Sequence, residues 1–454
     1  MNSSKMKFYN TLTHAKDTFA PISKKEVSLY TCGPTVYNYP HIGNYRAYIF
    51  ADTLKRVLLY SGYKVKHIMN ITDIDDKTIR DSQKEGKTLK DFTEFYTEEF
   101  LKDIKSLNII SPEKFTKATD YIDEMVDVIA KLLQKGLAYK SEDGSVYFNI
   151  KKFAGYGKLS RLVLENQKEN AAGRIKKDEY GKDNVQDFAL WKAWDEKDGE
   201  VFWETALGKG RPGWHIECSA MSMATLGEQI DIHTGGVDNI FPHHENEIAQ
   251  SEGATEKPFV KYWMHNEWVL VDQKKMAKSE NNFYTLRDLQ DKGIDPLAYR
   301  FWLLMANYRT RVNLVWEALE GAETALKRLY NLYIELGEDT GKIQPEYQQK
   351  FKEFIQDDLD TPRALTVLWD VFKDENISNA DKKATVLDFD KVLGLGFENL
   401  KTEKIPAEVI KIKNELDDAR KEKDFNKSDE LRKKINDSGY DVKNTPTGSV
   451  LSKL

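Results

Sequence analysis

Cysteine is almost absent: two in 454 residues, Cys32 and Cys218. That is too few for a disulfide scaffold, and the usage fits a reducing cytoplasm. Long apolar runs are missing as well. Mean hydropathy is −0.62, and no stretch approaches the ~20 apolar residues of a membrane helix. Met1 to Phe19 carries no apolar core of the kind a secretory signal needs, so none is expected. Neither sign of charge dominates, the formal total being −6. This excludes a uniformly basic nucleic-acid binder but leaves room for a local basic surface.

What is present is a long soluble chain with 40% hydrophobic and 31% charged residues. At about 150 residues per domain it has room for three units, give or take one. Val27 to Cys32 reads as a buried strand running into a Gly33-Pro34 turn. Ala47, Phe50, Ala51, Leu54, Val57 and Leu58 then recur at helical spacing up to a Ser61-Gly62 stop, and Lys64 to Ile71 reads as a second strand. Strand, helix, strand over so short a span predicts a βαβ unit in a parallel sheet, whose ligands sit at the carboxyl ends of the strands. From Tyr121 to Gly210 the pattern is mixed and polar, with a charged loop at Lys168 to Asp187. A second α/β stretch covers Gly213 to Trp268. Beyond Leu286 the pattern is helical. Trp316, Leu319, Ala322, Leu326 and Leu329 form one stripe, and Asp360-Thr361-Pro362 reads as a helix cap. Lys401 to Lys434, with 11 Lys/Arg and 9 Asp/Glu, reads as one heavily charged helix.

Four constellations suggest chemistry. Pro40 to Asn44 places His41 and Gly43 at a helix start, where backbone N–H groups can meet a phosphate. Lys274, Lys275 and Lys278 flank a short loop suited to negative charge developing on a transferring phosphoryl group. Five of the eight histidines fall between His215 and His265, around Cys218. With Cys32, the run Pro242 to Glu247 offers a zinc-like set of thiolates, imidazole and carboxylate. His243 with Glu247 (i, i+4) and His244 with Glu247 (i, i+3) are competing pairs on a helix. Asp231 to Asp238 contains Gly235 and Gly236 followed by Asp238, which suits either a nucleoside ribose or a tight turn.

Together these stretches resemble the cysteinyl-tRNA synthetases, a family of class I aminoacyl-tRNA synthetases. The resemblance is carried by Tyr30 to Tyr37, His41 to Asn44, Asn70 to Lys77, Gly213 to Ser219, Phe241 to Gln250 and the lysine loop. It continues through Lys423 to Arg432 and Gly439 to Val442, so it spans nearly the whole chain. It implies an α/β fold: a Rossmann-like catalytic domain with an inserted subdomain, followed by an all-α C-terminal region. The expected divisions are 1–120 and 211–268 for the catalytic halves, 121–210 for the insert and 269–300 for the lysine loop and stem-contact region. A helical bundle over 301–400 and an anticodon-binding subdomain over 401–454 complete them.

The same resemblance implies ATP-dependent attachment of L-cysteine to tRNA(Cys) through a cysteinyl adenylate. One zinc per chain would be held by Cys32, Cys218, His243 and Glu247, and magnesium would accompany ATP. His41, Asn44, Lys275 and Lys278 are the expected catalytic residues. His41, Gly43, Asn44, Gly235, Gly236, Asp238 and Lys278 are the expected ATP contacts, and Thr72, Trp214 and His233 the cysteine pocket. A cytoplasmic monomer without membrane contact is expected. Two departures stand out: Asn44 replaces the usual final histidine of the first signature, and Ala277 the usual serine of the loop. Two rival readings are a ligase passing cysteine to a small amine and a non-catalytic zinc protein that binds RNA. The tRNA-binding tail speaks against the first, and His41 with the loop lysines against the second.

Overall fold

The computed structural model describes residues 6–161, 187–276, 282–400, 406–445 and 448–453. The charged loop expected at Lys168 to Asp187 lies almost wholly outside them, as do Ala277 and Lys278.

The centre is a five-stranded, fully parallel sheet: β1 (Glu26–Thr31), β2 (Lys64–Ile71), β3 (Lys114–Lys117), β4 (Ile230–Gly236) and β5 (Val260–Asn266). Its order is β5-β4-β1-β2-β3. Parallel strands are covered on both faces and so read as near-continuous apolar runs. β4 is buried along six of its seven residues and β2 along its last five. The βαβ unit expected at the start is present. Its crossover is helix α1 (Ile42–Tyr60), packed through Tyr45, Ile49, Leu54, Val57 and Leu58. Gly62, at φ +89°, ends it in a conformation that costs glycine little.

The start of α1 is held by a reciprocal cap between His41 and Asn44, in which the His41 backbone N–H donates to Asn44 Oδ1 at 3.1 Å. Its middle is held by a buried ionic hub. Asp52 pairs with Arg56 at 2.7 Å and with Arg300 at 2.5 Å. The two arginines also donate to carbonyls at the ends of neighbouring helices: Arg56 to Lys391 and Asn108, Arg300 to Leu393 and Leu107. Fully hydrogen-bonded charges are the form in which burial is tolerated. The hub fastens the helix that begins at His41 to the helical C-terminal region.

Between the two halves of the sheet, the helix Ile122–Gln134 and an antiparallel five-stranded sheet running from Ala138 to Pro212 build a second core around Trp191, Phe148 and Met125. The later helices follow the expected stripes. Leu319, Ala322, Leu326 and Leu329 are buried on Trp316–Glu335. Asp360 caps Thr361–Lys373, accepting from the Arg363 N–H with Pro362 in the first turn. One expectation is corrected: Lys401 to Lys434 is not a single helix. Ala407–Lys421 and Phe425–Asp437 are separated at Lys423, whose φ is +61°, because Asp424 caps a new start by accepting from the Lys427 N–H. The expected all-α tail also gains a hairpin, Tyr440–Thr445 with Gly448–Lys453. Among the described residues, no helix is long and apolar enough to cross a membrane.

Candidate active site

The carboxyl ends of β1, β2 and β4 open into one cleft of about 1430 Å³, its mouth included. Cys32 to Pro34 and Thr72 follow β1 and β2, Gly236 ends β4, and Trp214, Cys218 and His243 close the floor. The strand ends approach so closely that a Cβ on Gly33 would lie 1.7 Å from the Asn70 carbonyl oxygen, so only glycine fits there.

Cys32, Cys218, His243 and Glu247 converge on that floor, each buried, with ligand atoms all within 4.8 Å of one another. Helix α2 (Trp214–Leu226) brings Cys218, the turn leading into α3 (Glu245–Thr255) brings His243, and the first turn of α3 brings Glu247. His243 Nε2 stands 3.0 Å from Glu247 Oε1, against 3.9 Å for His244 Nε2. That Glu247 oxygen has no hydrogen-bond partner, an orphan atom aimed at its neighbours. Two thiols, a neutral imidazole and a carboxylate fit a zinc-type cation by hardness and by number. A second set, Cys32, His233, His244 and Glu247, meets the same distance criterion. There His244 is already engaged, Nε2 lying 3.2 Å from Cys32 Sγ and Nδ1 2.8 Å from His265 Nε2. His265 in turn meets Thr11 Oγ1 at 2.7 Å. This chain is therefore a buried support for the thiol as much as a rival donor set.

Burial holds His243 neutral, its pKa drawn down to about 3, as ligation requires. Burial pushes the Cys32 thiol up, and the neighbouring Cys32 sulfur, with burial, pushes Cys218 up further. Both thiols are thus protonated at neutral pH without a metal and must lose their protons to bind one. Zinc uptake followed with a pH indicator in weakly buffered solution should release about two protons per ion. Affinity should rise by about a hundredfold per pH unit, while the already neutral histidine adds nothing above pH 5. A pH-independent affinity would contradict the thiol assignment.

The other end of the cleft is the start of α1. His41, Gly43 and Asn44 line it, and His41 packs edge-on to Phe283 with ring centroids 5.3 Å apart. Asn44 Oδ1 is taken by the cap, which commits its oxygen inward and leaves the amide NH2 as its remaining donor group. Met276 reaches this wall: a Cβ on Gly43 would lie 2.7 Å from Met276 Cε. The lysine loop therefore starts against the first signature, although 233 positions of chain separate Gly43 from Met276. Lys274–Lys275 is a short strand paired with Val269–Val271, and Lys278 falls outside the described residues. Asp238 lines the cleft and accepts from Trp268 Nε1 at 3.2 Å.

Two expected site residues, His233 of the cysteine pocket and Gly235 of the ATP contacts, sit differently. His233 is wholly buried beneath the cleft rather than lining it, with Nε2 at 2.9 Å from Glu247 Oε2. Gly235 faces the His244 ring, and Gly236 takes the position on the cleft. Both follow from the two-residue alternation of β4, which sends neighbouring residues to opposite faces. Trp214 is 41% exposed and stacks on His243 at 4.2 Å between centroids, so its indole forms a wall of the thiol end. Thr72 is buried at the cleft edge. Sequence reading missed Lys77, whose ammonium lies 5.0 Å over the Tyr37 ring on the cleft wall, although it closes the Asn70 to Lys77 run. It also missed Trp268, Glu217 and the His244–His265–Thr11 chain. Thr11 carries no local signal at all, being brought in only by the pairing of its backbone with Trp263.

With this geometry in view, comparison with known proteins is specific. The family profile described as tRNA synthetases class I (C) catalytic domain matches residues 18–324. The cysteine–tRNA ligase of Protochlamydia amoebophila is 44% identical over 99% of this chain and 98% of its own length. Those of Brachyspira hyodysenteriae and Chlamydia caviae are each 45% identical, covering 97% and 100% of this chain and 98% and 99% of theirs. Among solved structures, Mycobacterium tuberculosis methionyl-tRNA synthetase in complex with methionyl-adenylate aligns with TM-score 0.56 at 13% identity, over 82% of this chain and 90% of that one. The Agrobacterium radiobacter LeuRS in its complex with tRNA and LeuAMS aligns with TM-score 0.58 at 11% identity, over 83% and 84%. At such identities the structures speak for the fold alone. The sequence relatives, alike from end to end, go further: this chain belongs to the cysteine–tRNA ligase family of class I tRNA synthetases.

Proposed function

We propose that the cleft activates L-cysteine with ATP and transfers it to tRNA(Cys), the metal set choosing the amino acid. One observation carries this reading: a buried set of two thiols, an imidazole and a carboxylate lies in the same cleft as a glycine-containing helix start. The cysteine carboxylate attacks the α-phosphate of ATP, forming the adenylate and releasing pyrophosphate. Such a step needs positioning and charge stabilisation more than proton transfer. The side chains of His41 and Asn44 at the start of α1 face the phosphates, and Gly43 lets the chain come close. Asp238 and Gly236 border the adenosine, Lys275 and Lys278 meet the phosphate charge, and magnesium accompanies ATP. Cys32, Cys218, His243 and Glu247 would hold zinc, which when bound supplies a bond strong for sulfur and poor for a neutral hydroxyl. Serine would otherwise be separated from cysteine by only about 1–3 kcal/mol. Thr72 and Trp214 shape the cysteine pocket, and His233 steadies Glu247. Cysteine-dependent ATP–pyrophosphate exchange, run beside charging of tRNA(Cys), tests the reading. Exchange without charging would favour transfer to another acceptor, and neither would refute the enzyme.

The tail beyond residue 401 is assigned to the anticodon. It places Phe425, 71% exposed, at the start of a charged helix, where an aromatic ring can stack on an unpaired base. Its own small core around Leu416, Leu431, Ile435 and Val442 is separate from the catalytic core. Removing residues 401–454 should leave pyrophosphate exchange largely intact and raise KM for tRNA, because the tail adds contacts rather than catalytic groups. Phe425→Ala should do the same more mildly, by about 1–3 kcal/mol of binding. A folded truncation, checked by a circular dichroism melt, that charged tRNA as well as the full chain would remove the recognition role.

A further inference from the structure

Thr72 sits at the end of a hydrogen-bond chain whose direction is set at its origin. The Gly33 backbone N–H can only donate, and it donates to Asn70 Oδ1 at 2.7 Å. The amide end of Asn70 therefore faces Thr72, and Nδ2 donates to Thr72 Oγ1 at 3.1 Å. The Thr72 hydroxyl lies 2.8 Å from Glu217 Oε2 and donates to it. The Thr72 backbone leaves little freedom, its N–H donating to Pro34 and its carbonyl accepting from Val36. Glu217, 1% exposed on α2, stands behind this wall among Asp75, Asp76, Arg211 and Trp214, while Thr72 also borders the cleft. Burial pushes the Glu217 carboxyl well above its usual range, and in either protonation state the carboxyl keeps an acceptor lone pair for the Thr72 hydroxyl.

A hydroxyl has one proton and two lone pairs. With the proton given to Glu217 and one lone pair given to Asn70, only an acceptor lone pair remains for the cleft. We infer that Glu217 is a positioning residue that fixes Thr72 Oγ1 as an acceptor for the α-ammonium group of bound cysteine. The inference rests on the reading of the cleft as a cysteine site. The thiol belongs at the metal set and the carboxylate must point toward the phosphates, so the ammonium is the one polar group of the amino acid left for Thr72. An acceptor-only oxygen also turns away the carboxylate, so the same contact orients the substrate.

The test measures binding, by calorimetry on the zinc-loaded full chain without ATP. The probes are L-cysteine, cysteamine (ammonium but no carboxylate) and 3-mercaptopropionate (carboxylate but no ammonium). Glu217→Ala should weaken L-cysteine and cysteamine about tenfold and leave 3-mercaptopropionate within about twofold. Glu217→Gln, which keeps an acceptor oxygen for Thr72, should recover most of the loss. Thr72→Val should show the same pattern among the three probes, and the double variant Glu217→Ala/Thr72→Val should bind no worse than Thr72→Val alone. Zinc content and melting temperature accompany each variant. Should Glu217→Ala not fold, Glu217→Gln and Thr72→Val still carry the comparison. Equal losses for all three probes, a loss confined to 3-mercaptopropionate, or additive effects would overturn the inference while leaving the cysteine site intact. A wild-type protein with no preference for L-cysteine over L-serine would instead remove the cysteine site, and the inference with it.

Discussion

Cys218→Ser should lose zinc and cysteine activation in a single step. The serine hydroxyl is the right size but stays protonated and ligates poorly, so the buried set would keep three donors of four. Glu247 Oε1 and the Cys32 thiol would then remain buried without the partner that their arrangement around one point requires. Metal analysis of the purified variant should find far less than one zinc per chain, and pyrophosphate exchange with cysteine should fall to background. Cys32→Ser should behave alike, with the added loss of the contact from His244 Nε2 to the Cys32 sulfur. Full exchange activity in a variant shown to be free of zinc would contradict the role given to the metal set.

Lys278→Ala should lower kcat by about 10²–10³-fold, the usual scale for one electrostatic contact made in the transition state. KM for ATP should rise much less, because the contact strengthens as charge moves onto the leaving phosphates. Met276, two positions before Lys278, lies against the Gly43 wall and lines the cleft beside the first signature. Ala277→Ser should change the rate only modestly, since it adds a hydroxyl and no charge. A Lys278→Ala enzyme with unchanged kcat and a raised KM would make the loop a binding element only.

How much of this was legible in the sequence depended on the range of the signal. The parallel sheet announced itself through the apolar runs at Val27 and Lys64 and the helix between them, because periodicity and turn chemistry are local. The break at Lys423 was hidden by its charge pattern, which reads as continuous exposed helix, although Asp424 is a cap residue by type. The candidate metal residues were legible because thiols are so scarce here and the histidines so clustered. Choosing between His243 and His244 took the family resemblance, since both sit at helical spacing from Glu247, and the distances of 3.0 and 3.9 Å show how close that contest is. The family resemblance set His233 and Gly235 at the cleft, whereas the pleat of β4 buries His233 beneath it and turns Gly235 toward the His244 ring. Glu217 and Thr11 were invisible for a different reason. Their partners, Thr72 and His265, lie 145 and 254 positions away, and only the fold brings them together.

The central claim is that the metal set selects a thiol for activation at the neighbouring phosphate site. The most direct measurement is ATP–pyrophosphate exchange with L-cysteine and with L-serine, on one preparation before chelation, after chelation and after zinc is restored. The account predicts exchange with cysteine and almost none with serine when zinc is present, loss of the cysteine exchange on chelation, and its return with zinc. Equal exchange with the two amino acids, or cysteine exchange undiminished in the zinc-free protein, would contradict it.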